Sequence, residues 1–317
     1  MTIHFHPRRL GHVNLWVHDL ERSIRFYETV CGIALVRRER DILIGFHSNG
    51  NTHHDVGLIE TSKGFDRIGR DGTVQIPKTR GVSVGLNHLG WEMESEAELV
   101  AAYRRAMDTT QEKYRALDHL ISHSVYLSDP DGNHHEFYAD AIPDWRVVYN
   151  LQRDDEVTAL WDPLAKPPGE DRFYVAAPAI SQVERAPVHP SHLCGATLAT
   201  ANFSAMAEFF SDVAGLATIG SEGSMGHRRA WFSGGVGRID LTLVEASPGQ
   251  RCGLQSFTFE LVAPSNLVSL GELLHERAGI AARVDHDNGS DALAFDDPDG
   301  FSLRFVNPSA QQGRVAA

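Results

Sequence analysis

Two histidines and a glutamate occupy matching positions in a sequence that repeats one pattern along its length. His12 lies in G-H-V-N-L-W-V, His88 in G-L-N-H-L-G-W-E, and Glu136 in D-P-D-G-N-H-H-E-F-Y. Two neutral imidazoles and one carboxylate suit Fe(II) or Mn(II) and leave about three cis coordination positions open. Such an ion could bind a substrate through two oxygens with dioxygen beside it.

The second half of the chain repeats these segments without the ligand residues. D-P-D-G recurs at 297–300, and the residues at the three matching positions are Gly195, Ser256 and Arg304. Because all three coordinating side chains are absent from the second copy, we expect them to act together in the first. In a chain with 17 histidines, this comparison selects His12 and His88 as ligands and adds Glu136.

The ligands are expected on strands of a curved sheet. Residues 12–17 alternate as a strand, Asp19 has the position of a helix N-cap, and the helix should end near Gly32. Three short strands follow within 34–60, and the same order begins again at 87. One strand–helix–three-strand unit cannot close a sheet, but two side by side can form a cup. We therefore predict an α+β fold of two modules, each a pair of such units around a curved mixed sheet.

The predicted organisation has three parts. Residues 1–141 form the module with the metal ligands, residues 142–190 form a proline-rich connector, and residues 191–317 form the second module, which lacks them. Residues 61–83 are predicted to be a long loop. We expect this loop and the connector around Trp145 to border the site.

Composition excludes several classes of function. The chain of 317 residues is 42% hydrophobic and has a formal charge of −13, which argues against a nucleic-acid partner. The sequence has no run of about 18 apolar residues and no apolar secretory signal at its start, so a membrane partner is not expected. Its three cysteines lie far apart. That pattern favours a reducing cytoplasm over a disulfide framework.

Four segments of the first module resemble the vicinal oxygen chelate superfamily and, within it, the type I extradiol ring-cleaving dioxygenases. They are G-H-V-N-L-W-V-H-D-L-E-R-S-I-R-F-Y, N-T-H-H-D-V-G-L-I-E, L-N-H-L-G-W-E and S-V-Y-L-S-D-P-D-G-N-H-H-E-F-Y. The resemblance extends over nearly the whole chain as paired βαβββ units. In the familiar two-module extradiol enzymes the C-terminal module is active, whereas here the ligands lie in the N-terminal one.

The resemblance also implies roles for residues beside the metal. His54, in H-H-D, takes the place of the family's acid–base histidine, and Tyr126 matches a tyrosine that hydrogen-bonds the substrate. His119 matches a second substrate-binding histidine, with His123 as its rival. A histidine that titrates near neutrality can accept and return a proton. A tyrosine hydroxyl can stabilise developing negative charge.

Other polar residues near the motifs have structural interpretations. Asp55 could be the fourth ligand found in glyoxalase-like members, but Asp240 stands opposite it in the second copy, which favours a structural role. Asp129 and Asp297, present in both copies, are interpreted as turn residues.

Strand alternation predicts which neighbouring histidines face the site. It places His53 on the opposite face from His54. It also places His134 on the face of Glu136, and turns His135 away from it.

The leading hypothesis is an Fe(II)-dependent extradiol dioxygenase of aromatic catabolism, with Mn(II) as a possible replacement metal. It would take a small aromatic diol and O2, and a homo-oligomer is expected. One alternative is a metal-dependent lyase or isomerase of the glyoxalase or epimerase kind. Another is a non-catalytic protein that binds a small aromatic molecule, which the complete ligand set disfavours. The ring substituents and the bond cleaved are not readable from the motifs.

Overall fold

The computed structural model describes residues 3–69, 72–109, 114–150, 159–287 and 290–308. The strands of the first half are β1 (Arg9–Val17), β2 (Leu35–Glu39), β3 (Ile44–His47), β4 (Val56–Glu60), β5 (Arg67–Ile68), β6 (Val74–Ile76), β7 (Gly85–Glu92), β8 (Arg115–Asp118), β9 (Ser122–Ser128), β10 (His134–Asp140) and β11 (Ala159–Leu160). Those of the second half are β12 (Pro190–Thr200), β13 (Ala217–Glu222), β14 (Arg229–Ser233), β15 (Leu241–Glu245), β16 (Gly253–Leu261), β17 (Arg283–Asp287), β18 (Ser290–Asp296) and β19 (Ser302–Val306).

Among the described residues, four helices each follow the first strand of a unit, and the third helix along the chain lies in the connector. They are α1 (Leu20–Thr29), α2 (Glu96–Thr109), α3 (Arg146–Asn150), α4 (Phe203–Glu208), which continues as a π-helical turn over Phe209–Val213, and α5 (Leu267–Ala278). The predicted cap at the start of α1 is present, since the Asp19 carboxylate accepts from the backbone N–H of Arg22 at 3.0 Å. The left-handed Gly32, at φ 70°, follows the helix end as expected.

Each half of the chain forms one large mixed sheet. The first has the strand order β11-β8-β9-β10-β7-β1-β4-β3-β2, and the second has β13-β14-β15-β12-β16-β19-β18-β17. In the first sheet β1 runs antiparallel to β7 and parallel to β4, while β10 runs parallel to β7. In the second sheet β12, β15, β16 and β19 repeat these pairings. The predicted α+β fold of two modules with curved mixed sheets is confirmed.

A hydrophobic core shared by the two modules fixes their relative position. Phe5, in the segment before β1, stacks on Phe137 with ring centroids 4.2 Å apart. The backbone of that segment also donates hydrogen bonds to carbonyls of residues 212–214 in the second module. The N-terminal segment therefore crosses to the other module before the first sheet begins.

Two matching aspartates tie the modules together. Asp55 of the first module accepts from the backbone N–H of Leu193 at 3.0 Å, and Asp240 of the second accepts from that of Leu10 at 3.0 Å. The two aspartates and the two leucines are buried, and buried N–H groups need a hydrogen-bond partner. The pairing explains why both copies keep this aspartate, and it supports the structural interpretation of Asp55.

The structure departs from the sequence-based prediction in four places. The loop at 61–83 contains the small hairpin β5–β6, and strand β8 was not predicted. The strand predicted from His54 begins only at Val56, and the residues just before it do not form a strand. The connector is not wholly irregular, because it contributes α3 and the edge strand β11, which pairs with β8.

Removal of the Asp240 carboxylate should destabilise the fold. Its oxygens accept from the backbone N–H groups of Leu10 and Gly234, and Asp240→Ala leaves both without this acceptor. We expect the free energy of unfolding in urea to fall by about 2 kcal/mol. Glu208→Ala, at an exposed helical position, is the control and should change it by less than ~0.5 kcal/mol. Equal unfolding midpoints for the two variants would refute the role assigned to Asp240.

Candidate metal centre

The register of three neighbouring strands brings two of the predicted ligands face to face. Glu136 on β10 and His12 on β1 both pair with Gly90, which lies on β7 between them. A Cβ at position 90 would lie 2.1 Å from His12 Nε2, so only glycine leaves room for the ring. His88 stands two residues before Gly90 and therefore projects from the same face of β7.

The three side chains converge on one point. Nε2 of His12 lies 3.2 Å from Nε2 of His88, and Oε2 of Glu136 lies 2.9 Å from the first nitrogen and 2.8 Å from the second. Donor atoms that bind one ion at roughly 2.1 Å and at right angles are themselves about 3.0 Å apart. The residues therefore fit a divalent ion of the kind held by two histidines and a carboxylate.

The surroundings of His12 and Glu136 favour the protonation states that a metal requires. Burial lowers the pKa of His12 to about 4, against the opposing effect of Glu136, so this imidazole is neutral at physiological pH. Burial alone would raise the pKa of Glu136. The contacts with His12 and His88 outweigh burial, and they hold the pKa of this carboxyl well below its usual range. Neutral imidazole and ionised carboxylate are the forms that bind metals.

Neighbouring side chains orient the ligand rings. His88 Nδ1 lies 2.5 Å from Oδ1 of Asn87, an arrangement in which Nδ1 carries the proton and Nε2 is free for the ion. The ring of His12 stacks on that of Tyr138, with centroids 5.0 Å apart. Gly11 makes room for Tyr138, because a Cβ there would lie 2.1 Å from the tyrosine hydroxyl oxygen. Neither Asn87 nor Tyr138 was selected from the sequence.

Tyr126 and His119 form a hydrogen-bonded chain that ends on the metal-site carboxylate. Tyr126 pairs directly with Glu136 across β9 and β10, and its hydroxyl donates to Glu136 Oε1 at 2.5 Å. His119 Nε2 lies 2.9 Å from that hydroxyl oxygen. His123, the rival of His119, instead contacts Glu96 at 3.1 Å and stacks on Trp161. The structure therefore brings His119, and not His123, to the site.

His54 also lies beside the ligands, but so does His53. The ring centroid of His54 is 4.1 Å from that of His12, and its Nε2 lies 3.1 Å from Oδ1 of Asn14. The prediction that His53 points to the opposite face is wrong: within the described residues, His12, His53 and His54 form a second cluster of potential ligands. The reason is local, since both histidines precede β4 in a bend where strand alternation does not apply.

The remaining candidates take the places expected of them. His134 faces the same cavity as His88, while His135 is buried between Asp129 at 3.1 Å and the indole N–H of Trp91 at 3.1 Å. Asp129 also accepts from backbone N–H groups of its own turn, as predicted. Asp55 belongs to neither cluster of potential ligands in the described part of the chain.

Two connected chambers open beside the ligands. The inner chamber, of about 170 Å³, is lined by His54, His88, His119, Tyr126 and Glu136 together with apolar residues that include Phe46 and Tyr149. The outer chamber, of about 510 Å³, is lined by Trp16, Ile76, Arg80, Arg115, His134 and others. Both share Ile42, Ile44, Ile59, His88, His119 and Tyr126, so they form one continuous cavity. The loop at 61–83 borders it through Ile76 and Arg80, while the connector reaches it through Tyr149 and not through Trp145.

The second module has no equivalent site at the matching positions. Gly195, Thr258 and Arg304 replace His12, Gly90 and Glu136 in the same strand register. Arg304 forms an ion pair with Asp285 at 3.2 Å. The second sheet has the same strand pairings as the first, but different side chains lie at its centre.

A family model matches the part of the chain that contains the three candidate ligands. Residues 9–137 match the family model of the Glyoxalase/Bleomycin resistance protein/Dioxygenase superfamily. All of the matched residues lie in the first module. The matched segment includes the three candidate ligands and ends one residue after Glu136.

Curated relatives of the chain are similar over about half of its length. Catechol-2,3-dioxygenase of Bacillus subtilis (strain 168) is 28% identical over 156 residues, which cover 49% of this chain and 48% of that protein. Biphenyl-2,3-diol 1,2-dioxygenase 3 of Rhodococcus globerulus is 25% identical over 162 residues, which cover 50% of this chain and 79% of that protein. The chain thus aligns with about half of the Bacillus protein.

Solved structures share the fold over almost the whole chain. The 2,3-dioxygenase LapB from Pseudomonas sp. KL28 superposes with a TM-score of 0.64 at 16% identity, covering 96% of this chain and 93% of its own. The Mn(II)-bound glyoxalase from Novosphingobium aromaticivorans gives 0.61 at 13% identity, covering 95% and 82%. Among the described residues, no helix of this chain is long and apolar enough to cross a membrane.

A methyl group at position 90 should abolish the metal site. Gly90→Ala would force the His12 ring away from Glu136, so we expect affinity for Fe(II) or Mn(II) to fall at least ~10-fold. Anaerobic equilibrium dialysis followed by metal analysis measures this. Gly85→Ala, on the same strand, is the matched control, because its Cβ would meet only the end of the Arg251 side chain at 3.9 Å. Full metal content in Gly90→Ala would contradict the assigned geometry.

Proposed function

We propose that the protein is an Fe(II)-dependent extradiol dioxygenase that cleaves the ring of a catechol-type substrate with O2. The observation that carries the proposal is the convergence of His12, His88 and Glu136 beside a cavity also lined by His54, His119 and Tyr126. Relatives named as catechol-2,3-dioxygenase and biphenyl-2,3-diol 1,2-dioxygenase support it.

The two histidines and the glutamate would hold the ion on one side only. A bound ion of this type would supply positions for two substrate oxygens and dioxygen, and it would favour ionisation of the diol. Glu136 is the single carboxylate of the set, so a divalent site retains net positive charge for an anionic diol. The apolar residues of the inner chamber would contact the ring and exclude water from it.

His54 is the proposed proton acceptor for the diol. Burial lowers its pKa well below 6.5, and the nearby charges of His12 and His53 lower it further, so the ring starts neutral. Its Nε2 donates to Asn14 Oδ1 at 3.1 Å, which leaves Nδ1 as the nitrogen that can take a proton. Gly57 provides room for the Asn14 amide, since a Cβ there would lie 2.1 Å from that oxygen.

Tyr126 is the proposed hydrogen-bond donor to the substrate. Burial raises its pKa well above 10, and the charge of Glu136 raises it further, so the hydroxyl keeps its proton. His119 Nε2 lies 2.9 Å from the same hydroxyl oxygen. The hydroxyl donates to Glu136 Oε1 in the structure, and donation to a bound substrate would replace that hydrogen bond. A donor fixed in this way stabilises negative charge that develops on a substrate oxygen.

A metal-dependent lyase or isomerase is the competing proposal, since the fold is shared with a Mn(II)-bound glyoxalase. The fourth ligand considered for that chemistry was Asp55, whose Oδ1 instead accepts from Leu193. A protein that only binds an aromatic molecule would need neither the three converging ligands nor the Tyr126–His119 chain. Both arguments favour the dioxygenase.

Reconstitution with iron tests the proposal directly. The protein, loaded with Fe(II) under nitrogen and mixed with catechols, should consume one O2 per diol on exposure to air and yield a yellow ring-fission product. His12→Ala and Glu136→Gln should lose this activity together with bound iron, because each removes a ligand. His275→Ala, at an exposed position of α5, is the control. Turnover that needs no oxygen and proceeds with Ni(II), Co(II) or Zn(II) would favour the lyase or isomerase.

Substitution of His54 or Tyr126 should separate chemistry from metal binding. His54→Asn and Tyr126→Phe leave the three ligands in place, so bound iron should stay near that of the unaltered protein. The rate constant kcat should fall by roughly 10²–10⁴-fold for the lost proton acceptor. For the lost hydrogen bond we expect about 10²-fold. Unchanged kcat in both variants, measured by oxygen consumption, would remove these residues from the mechanism.

A further inference from the structure

The outer chamber is positively charged on one side although the chain as a whole is acidic. Arg80, on the loop before β7, and Arg115, at the start of β8, both line it, and His134 lies nearby. Within the described part of the chain, neither arginine forms an ion pair with a carboxylate. Burial lowers the pKa of Arg80, and the charge of Arg115 lowers it further. Since no carboxylate of the described residues pairs with either arginine, this wall of the chamber can attract an anion from solution.

The strand register connects these cations to the metal ligands. Arg115 pairs with Tyr126, and Tyr126 pairs with Glu136, so the three residues form a row across β8, β9 and β10. Neighbouring strands lie about 4.8 Å apart, which puts Arg115 roughly 10 Å from Glu136 along the sheet. A short side chain on an aromatic ring can span that distance.

In the second module, the arginine equivalent to Arg115 is neutralised by a carboxylate. Arg283 stands where Arg115 stands in the first module, and it contacts Asp285 at 3.1 Å. The residue that matches Asp285 in the first module is Leu117, which lines the outer chamber. The first module therefore keeps the arginine and lacks the aspartate that would neutralise it.

We propose that the diol substrate carries a carboxylate on a short side chain, and that Arg80 and Arg115 bind this carboxylate in the outer chamber. The inference rests on the proposed function, since it assumes a diol at His12, His88 and Glu136. The ring occupies the smaller inner chamber, and the side chain extends through the shared opening lined by Ile42, Ile59 and Tyr126. Arginine suits this role because its planar guanidinium binds a carboxylate through two hydrogen bonds.

A pair of matched substrates tests the inference. The probes are 3-(2,3-dihydroxyphenyl)propionate, its 3,4-dihydroxy isomer, the methyl ester of each, and unsubstituted catechol. For at least one isomer, kcat/KM for the acid should exceed that for its ester by about 10-fold or more. Arg80→Gln and Arg115→Gln should each lower kcat/KM for the acid by about 10- to 100-fold and leave that for the ester within ~3-fold. Arg104→Gln, at an exposed position of α2 outside the cavity, is the control.

Binding without turnover gives a second readout. Calorimetric titration under nitrogen should show that the acid binds more tightly than the ester, and the difference should shrink in Arg80→Gln and with added salt. Arg115→Glu should reverse the preference toward dopamine, a catechol with a cationic side chain.

The possible outcomes separate this inference from the proposed function. Cleavage of catechol with equal kcat/KM for acid and ester, unaffected by the arginine variants, would overturn the inference and leave the dioxygenase in place. If no diol is cleaved with Fe(II) and O2, the proposed function fails and the substrate assignment fails with it.

Discussion

The site depends on one steric constraint: the middle strand of three must have no side chain where the outer two present theirs. Gly90 provides this gap, and His12 and Glu136 meet across it from β1 and β10. The distance between two non-adjacent strands is about 9.6 Å, too far for short contacts unless both side chains lean over the strand between them. A Cβ added at position 90 would lie only 2.1 Å from the His12 nitrogen, so the ring fills the space that the glycine leaves. Thr258 at the equivalent position closes the gap in the second module.

The duplication explains why a module without ligands is retained. Its Asp240 accepts a hydrogen bond from the backbone of β1 at Leu10, two residues before the candidate ligand His12. The Asp297 carboxylate of the second D-P-D-G turn accepts from the hydroxyl of Tyr27 in α1, so the second module also holds the helix that follows β1. Burial of these polar groups is costly unless each is paired. The second module thus stabilises the strand on which the candidate metal site depends, although different side chains lie at its own central positions.

The sequence predicted those parts of the site that strands alone position. His12, His88 and Glu136 could be found because equivalent strands in two copies have the same register, so a difference between the copies marks a difference in function. The orientation of His53 was predicted wrongly because the residues just before β4 do not form a strand, so their side chains do not alternate between two faces. Gly90 carried a signal, as a glycine inside a strand marks a close approach, but the sequence does not identify the side chain that approaches it. The contacts of Asp240 and Arg115 depend on pairings with distant strands, which no local pattern encodes.

Electrostatics inside the cavity is independent of the charge of the whole chain. A net charge of −13 would repel a carboxylate if its effect were uniform. At physiological ionic strength, however, charges farther than about 8 Å are largely screened. An anion in the outer chamber therefore interacts chiefly with Arg80, Arg115 and the groups beside them. Since Arg80 is half-buried, its charge is less screened by water than that of the surface acids. An acidic protein can in this way bind an anionic diol while its surface disfavours anions at other places.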